Sequence, residues 1–98
     1  MAQVRWTPQA ADDLDAIAGF IAQDSPHFAG IVAADILQAT DRLLDFPESG
    51  RIVPEIGDRS IREIILGNYR IIYRLRSEAV EVLTVHHGAR LLDRNKLK

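Results

Sequence analysis

Two apolar stripes at helical spacing, joined by a very short link, constrain this chain more than any other feature. Ala11, Leu14, Ile17, Ala18 and Ile21 recur at three- and four-residue intervals, the pattern of one helix face. Phe28, Val32, Ile36, Ala39, Leu43 and Phe46 mark a second face. Between them Asp24-Ser25-Pro26 stops the first helix and caps the second, and Pro47 and Gly50 close the second. Thr7 before Pro8 reads as the first helix's N-cap, with proline at the first helical position. Helices joined this closely form an antiparallel hairpin, and neither stripe is buried without a third layer. Asp12, Asp13 and Asp15 fall in the early turns, where they complement the helix dipole. That is a helix-start role rather than a catalytic one.

The remainder of the chain supplies the third layer. Gln3–Trp6 is a short extended segment that places Trp6 under the first helix. Ile61–Leu66 reads as a strand, Gly67-Asn68 as a hairpin turn, and Tyr69–Leu75 as a second strand. Along the latter, Tyr69, Ile71, Tyr73 and Leu75 point one way and Arg70 and Arg74 the other, with Arg76 continuing the second set. The tyrosines are therefore read as core. Ser77-Glu78-Ala79 turns the chain into a third strand over residues 80–87. Such strands pack one face on the helices and leave the other wet. The expected fold is α+β: a short N-terminal strand and a helical hairpin packed on a twisted antiparallel sheet, as one domain over residues 1–98. Residues 89–98 fit a short helix or a tail equally well.

Composition narrows the chemistry. There is no cysteine, which excludes disulfides, thiolate metal sites and a cysteine nucleophile. His86 and His87 are adjacent on a strand, so they face opposite ways and do not chelate one ion together, and His27 lies far off in sequence. No metal and no cofactor is expected. No apolar run approaches the roughly 20 residues of a membrane span, and residues 1–6 lack a basic region followed by an apolar stretch, so no signal peptide is expected. A cytoplasmic protein is expected. Charge is unevenly spread: residues 1–50 hold two arginines against eight acids, net −6, while residues 51–98 hold eight arginines and two lysines against six acids, net +4. The basic half either forms a site for an acidic partner or is an ordinary mixed surface.

Four stretches and Arg62 together carry a family resemblance. Trp6-Thr7-Pro8-Gln9-Ala10-Ala11-Asp12-Asp13-Leu14 resembles the start of ParE-type toxins, and Leu43-Leu44-Asp45-Phe46-Pro47-Glu48-Ser49-Gly50-Arg51 the end of their second helix. Arg62, Gly67-Asn68-Tyr69-Arg70-Ile71-Ile72-Tyr73 and Val82-Leu83-Thr84-Val85-His86-His87-Gly88-Ala89-Arg90 resemble their sheet. The likeness runs over about residues 4–90, in order and with matching spacing. It implies a toxin of a type II toxin–antitoxin module, in the ParE/RelE superfamily. ParE-like members inhibit DNA gyrase without being enzymes, whereas RelE-like and YoeB-like members cleave messenger RNA in the ribosome.

For the ribonuclease branch, the resemblance implies Arg70 against the scissile phosphate, Arg62 near a position that branch fills with lysine, His87 as acid or base, and Glu55 as the carboxylate. Cleavage needs such a set, with groups to move protons and cations to stabilise the phosphate. Against it, Ile64 and Ile65 stand where that branch carries lysines, the only lysines are Lys96 and Lys98, and no tyrosine follows Tyr73. A ribosome-entering protein also gains from a basic surface, and this chain is net −2. The ParE branch instead implies a contact surface of exposed cations, Arg51, Arg62, Arg70, Arg74 and Arg90, facing either gyrase or an antitoxin. The antitoxin would fold an acidic amphipathic tail along it. Arg70 and Arg74 serve equally as cross-strand ion pairs, and a third reading is a non-toxic homologue that acts only as a protein-binding module.

Overall fold

The computed structural model describes residues 3–88, 92 and 94–97. Its elements in chain order are β1 (Gln3–Trp6), α1 (Pro8–Ala22), α2 (Pro26–Asp41), a 3-10 turn (Arg42–Leu44), β2 (Arg51–Ile52), β3 (Ile61–Leu66), β4 (Tyr69–Leu75), β5 (Ala79–His87) and a second 3-10 turn (Arg94–Leu97). The expected α+β arrangement is present, with the helical hairpin on one five-stranded sheet of order β1-β5-β4-β3-β2. The sheet is mixed: β1 joins β5 in parallel, Gln3 beside Ala79 and Trp6 beside Val82, and the other pairings are antiparallel.

Both helices start on the expected caps. Thr7 Oγ1 accepts from Ala10 N at 3.1 Å, Ser25 Oγ accepts from Phe28 N at 3.1 Å, and a proline follows each cap. The Thr7 hydroxyl also donates to Leu83 O at 3.1 Å. This draws the first turn of α1 onto β5, so Ala10 is fully buried while Ala11 is exposed. The inner face of α1 therefore runs through Ala10, Leu14 and Ile17, one position earlier at its start than the spacing suggested. On α2 the inner face is Ala29, Val32, Ile36 and Ala39, continued by Leu43. Phe28 and Phe46 are 53% and 64% exposed, against expectation. Phe28 lies roughly 100° around the helix from Ala29, and Phe46 comes after the 3-10 turn has ended the helix.

Asp13 also departs from its expected role. No acidic residue occupies the first turn of α1, and Asp13 sits beyond reach of the free amides there. Its Oδ2 instead accepts from the Thr84 hydroxyl and from Val85 N (3.2 Å), and its Oδ1 accepts from Gln9 Nε2 at 2.7 Å. Because β1 ends opposite Val82, this carboxylate covers part of the β5 edge that β1 leaves open.

The sheet is apolar on both faces, which corrects the expectation of one wet face. Ile71, Val82 and Val85 meet the helices with Ala10, Ile36 and Ala39. On the other face Val53, Ile61, Ile72, Leu83 and Leu97 form a separate cluster, joined by Ile56 and Leu92. The loop after β2 and the C-terminal 3-10 turn supply its cover. The pairing slips between Ile72 and Tyr73, from Ile72 beside Thr84 to Tyr73 beside Val82, so Leu83 is the extra residue of a bulge.

Candidate functional site

Hairpin geometry assembles the site. Gly67 takes the positive φ (58°) that a two-residue hairpin turn demands, and this sets Ile65 opposite Arg70 and Glu63 opposite Ile72. Glu63 and Arg70 are therefore diagonal neighbours on one face. On the other side of β3, Arg51 pairs directly with Glu63. Each Glu63 oxygen is taken by a different guanidinium: Arg70 Nε lies 2.5 Å from Oε1, and Arg51 Nε 2.6 Å from Oε2.

Glu55, from the loop between β2 and β3, completes the chain of charges. Arg70 NH1 and NH2 donate to its two oxygens at 2.7 and 2.9 Å, a bidentate pair. All three Arg70 nitrogens are thereby engaged. Exposure falls steeply across the network: the side chains of Arg51, Glu55, Arg70 and Glu63 are 59%, 41%, 12% and 0% exposed. Hydrogen bonds from Arg70 hold the Glu55 carboxyl down at about 2, and the same bonds push the Arg70 guanidinium further above its already high value. A carboxylate held that low is a weak general base.

The candidates from sequence separate into two sets. Arg51, Glu55, Arg70 and His87 line one open cleft of about 500 Å³, beside Ile65 and Tyr69. His87 is exposed at the end of β5 and meets the Tyr69 ring edge to face, with centroids 5.5 Å apart. His86, and not His87, pairs with Arg70 in the β4–β5 ladder, and it is buried.

Arg62 is not part of this group. It pairs with Tyr73 across β3–β4, and its guanidinium donates to Arg59 O (3.1 Å), Gly50 O (3.1 Å) and Glu48 O (3.4 Å). It fastens the segment that follows α2. Arg74 is half-buried and donates to Leu97 O at 3.0 Å, tying down the C-terminal turn. Arg90 lies outside the described residues. The expected row of exposed cations is thus reduced by pairing: Arg70 is nearly covered, and Arg51 keeps the most open side chain of the network.

Glu63 is the member of this charge network that sequence reasoning missed. A signal existed: counting back from Gly67-Asn68 puts this acid diagonal to Arg70, between the apolar positions Ile61 and Ile65. Among the described residues no group of His, Asp and Glu side chains is arranged to hold a metal ion, and no helix is long and apolar enough to cross a membrane.

Comparison with known proteins gives consistent matches. Residues 4–92 match the family described as ParE toxin of the type II toxin–antitoxin system parDE. The chain is 41% identical to the Y4kP protein of Sinorhizobium fredii over 88 residues, covering 88% of each. It is 37% identical to toxin RelE2 of Caulobacter vibrioides over 92 residues, 93% of this chain and 100% of that one. Among solved structures, the chromosomal ParDE toxin–antitoxin system of P. aeruginosa superposes with a TM-score of 0.73 at 23% identity, over 89% of this chain and 96% of that one.

Proposed function

This chain belongs to the ParE toxin family of type II toxin–antitoxin systems, and from that premise we propose that it inhibits DNA gyrase by binding and is neutralised by a cognate antitoxin. The observation that carries the choice is the state of Arg70. A ribonuclease needs that guanidinium open to a phosphate and a nearby carboxylate able to take a proton. Here buried Glu63 holds the Nε side of Arg70 and sets a fixed negative charge beside any phosphate, while Glu55, the present partner of the outer edge, is held at about 2. Arg62, the second cation of the cleavage set, is spent on backbone carbonyls. The cleft is thus better suited to contact than to acid–base work. The antitoxin's acidic amphipathic tail would lie across Arg51 and the Arg70 side of the sheet, a proposal that also takes in Arg74 and Arg90.

A second reading keeps ribosome-dependent RNA cleavage. It is favoured by the likeness to toxin RelE2 over that protein's whole length, and by His87 and Arg70 lining one cleft. Two assays on the purified protein separate the readings. Inhibition of gyrase supercoiling with messenger RNA left intact is the expected result. Ribosome-dependent cleavage with supercoiling unaffected would instead establish the second. In cells, expression without antitoxin should arrest growth with a DNA-damage response.

A further inference from the structure

The Arg70–Glu55 pair has the form of a carboxylate seated in a prepared receptor. Arg70 is fixed from behind, where its Nε donates to Glu63, a carboxylate with no exposed surface. That anchoring turns the NH1–NH2 edge of the fork toward the cleft, where the two Glu55 oxygens sit. Glu55 is the more exposed partner, at 41% against 12% for Arg70. Its loop is pinned independently, because Val53 and Ile56 enter the second apolar cluster, and the amides of Ile56 and Gly57 bond Val53 O. The seat of the loop therefore does not depend on the Glu55 side chain staying in the fork.

From this geometry we infer that the fork edge of Arg70 is a docking site for a carboxylate of an acidic, apolar-bearing peptide, and that Glu55 is its internal placeholder. Three observations specify the occupant. The present ligand is a carboxylate in bidentate register, so a second carboxylate fits without rearrangement. The charges of Arg51, Glu55, Glu63 and Arg70 cancel, so one incoming carboxylate is tolerated, whereas a run of phosphates would gather beside Glu55 and buried Glu63. Next to the fork, Ile65 pairs with Arg70 in the ladder and is 52% exposed. It offers apolar contact to a residue flanking such a carboxylate. The inference deepens the binding reading above and takes the antitoxin's acidic tail from it as the natural occupant.

The test uses the whole chain and a short fluorescent peptide alternating glutamate and leucine, with binding followed by anisotropy. A glutamine–leucine peptide and a single-stranded RNA oligonucleotide serve as comparisons. Removing the competitor with Glu55→Gln or Glu55→Ala should tighten glutamate-peptide binding by about fivefold, the scale of one partly exposed ion pair. Arg70→Lys keeps the charge but loses the fork, and should weaken binding. If that variant does not fold, the Glu55 comparison still decides. Unchanged or weaker binding by both Glu55 variants overturns the placeholder. Equal binding of the glutamine peptide overturns carboxylate recognition, and a larger gain for RNA makes the fork a phosphate site. Gyrase inhibition is scored separately. Peptide binding as described without inhibition removes the target reading alone, and the converse removes this inference alone.

Discussion

Arg70 Nε stands 2.5 Å from Oε1 of Glu63, and that glutamate has no exposed side-chain surface. A carboxylate this deep in an apolar sheet is tolerable because Arg51 takes its second oxygen. Removing one member of such a group leaves the others buried and unpaired, which is costly, while replacing the set with apolar residues is often close to neutral. Glu63→Ala should therefore lower stability by about 3–5 kcal/mol in urea unfolding. Glu63→Leu combined with Arg70→Met should recover most of that loss. A loss well under 1 kcal/mol for the single change would mean that the pair carries no weight.

The Glu55 end of the network predicts an acid dependence. Its carboxyl is lowered from 4.5 to about 2 in the folded chain. The depressed folded value means that the pair stabilises fully above the unfolded value and loses its effect as pH falls toward 2. Thermal melts of the wild type and Glu55→Gln should differ at neutral pH, converge between pH 4.5 and about 2, and coincide below that range. A constant gap across the titration would exclude the ion pair as its source.

Gly50 is set by contact and not by backbone conformation. A Cβ there would lie 2.5 Å from Glu63 O and 2.6 Å from the Tyr73 hydroxyl. That hydroxyl accepts from Gly50 N at 3.0 Å and donates to Pro47 O at 2.8 Å. Burial raises the Tyr73 phenol above its usual value, so its proton stays available for the second bond. Gly50→Ala should cost about 1–3 kcal/mol through overpacking. Tyr73→Phe should cost about 1–3 kcal/mol by leaving the Gly50 amide unsatisfied. Equilibrium unfolding of both variants measures these losses, and wild-type stability in either would remove the constraint.

Asp13 and Thr84 should be coupled. A double-mutant cycle of Asp13→Ala and Thr84→Val is expected to give an interaction energy of about 1 kcal/mol. Asp13→Ala should also speed hydrogen exchange at the Val85 amide, whose partner it removes. Additive losses with unchanged exchange would show that the carboxylate does not guard the strand edge.

Local signals were the legible part of this chain. Thr7-Pro8 and Ser25-Pro26 mark both helix starts, and Gly67-Asn68 marks the hairpin, because caps and tight turns depend on a few adjacent residues. What depends on distant partners was less legible. Ala10 replaces Ala11 at the inner face because Thr7 bonds Leu83 across the fold. The second apolar cluster needs Leu83 on a bulge and Leu97 from the chain end, neither of which alternation along one strand reveals. At the candidate site Arg70 and Glu55 were named as separate participants. Their direct pairing required the loop after β2 to fold back, which no spacing rule encodes.

The pairing of β1 with β5 joins the first and the last strand to be synthesised among the described residues. Gln3–Trp6 finds its neighbour only when residues 79–82 exist, so the first strand made must wait for the last. Loop closure over such a separation comes late in folding. A translation product cut short before residue 79 can form the helical hairpin but has no partner for β1 and no β5 on which to seat Thr7 and Asp13. Premature termination before β5 therefore yields a fragment without a finished sheet, and the five strands come together only in chains read through it.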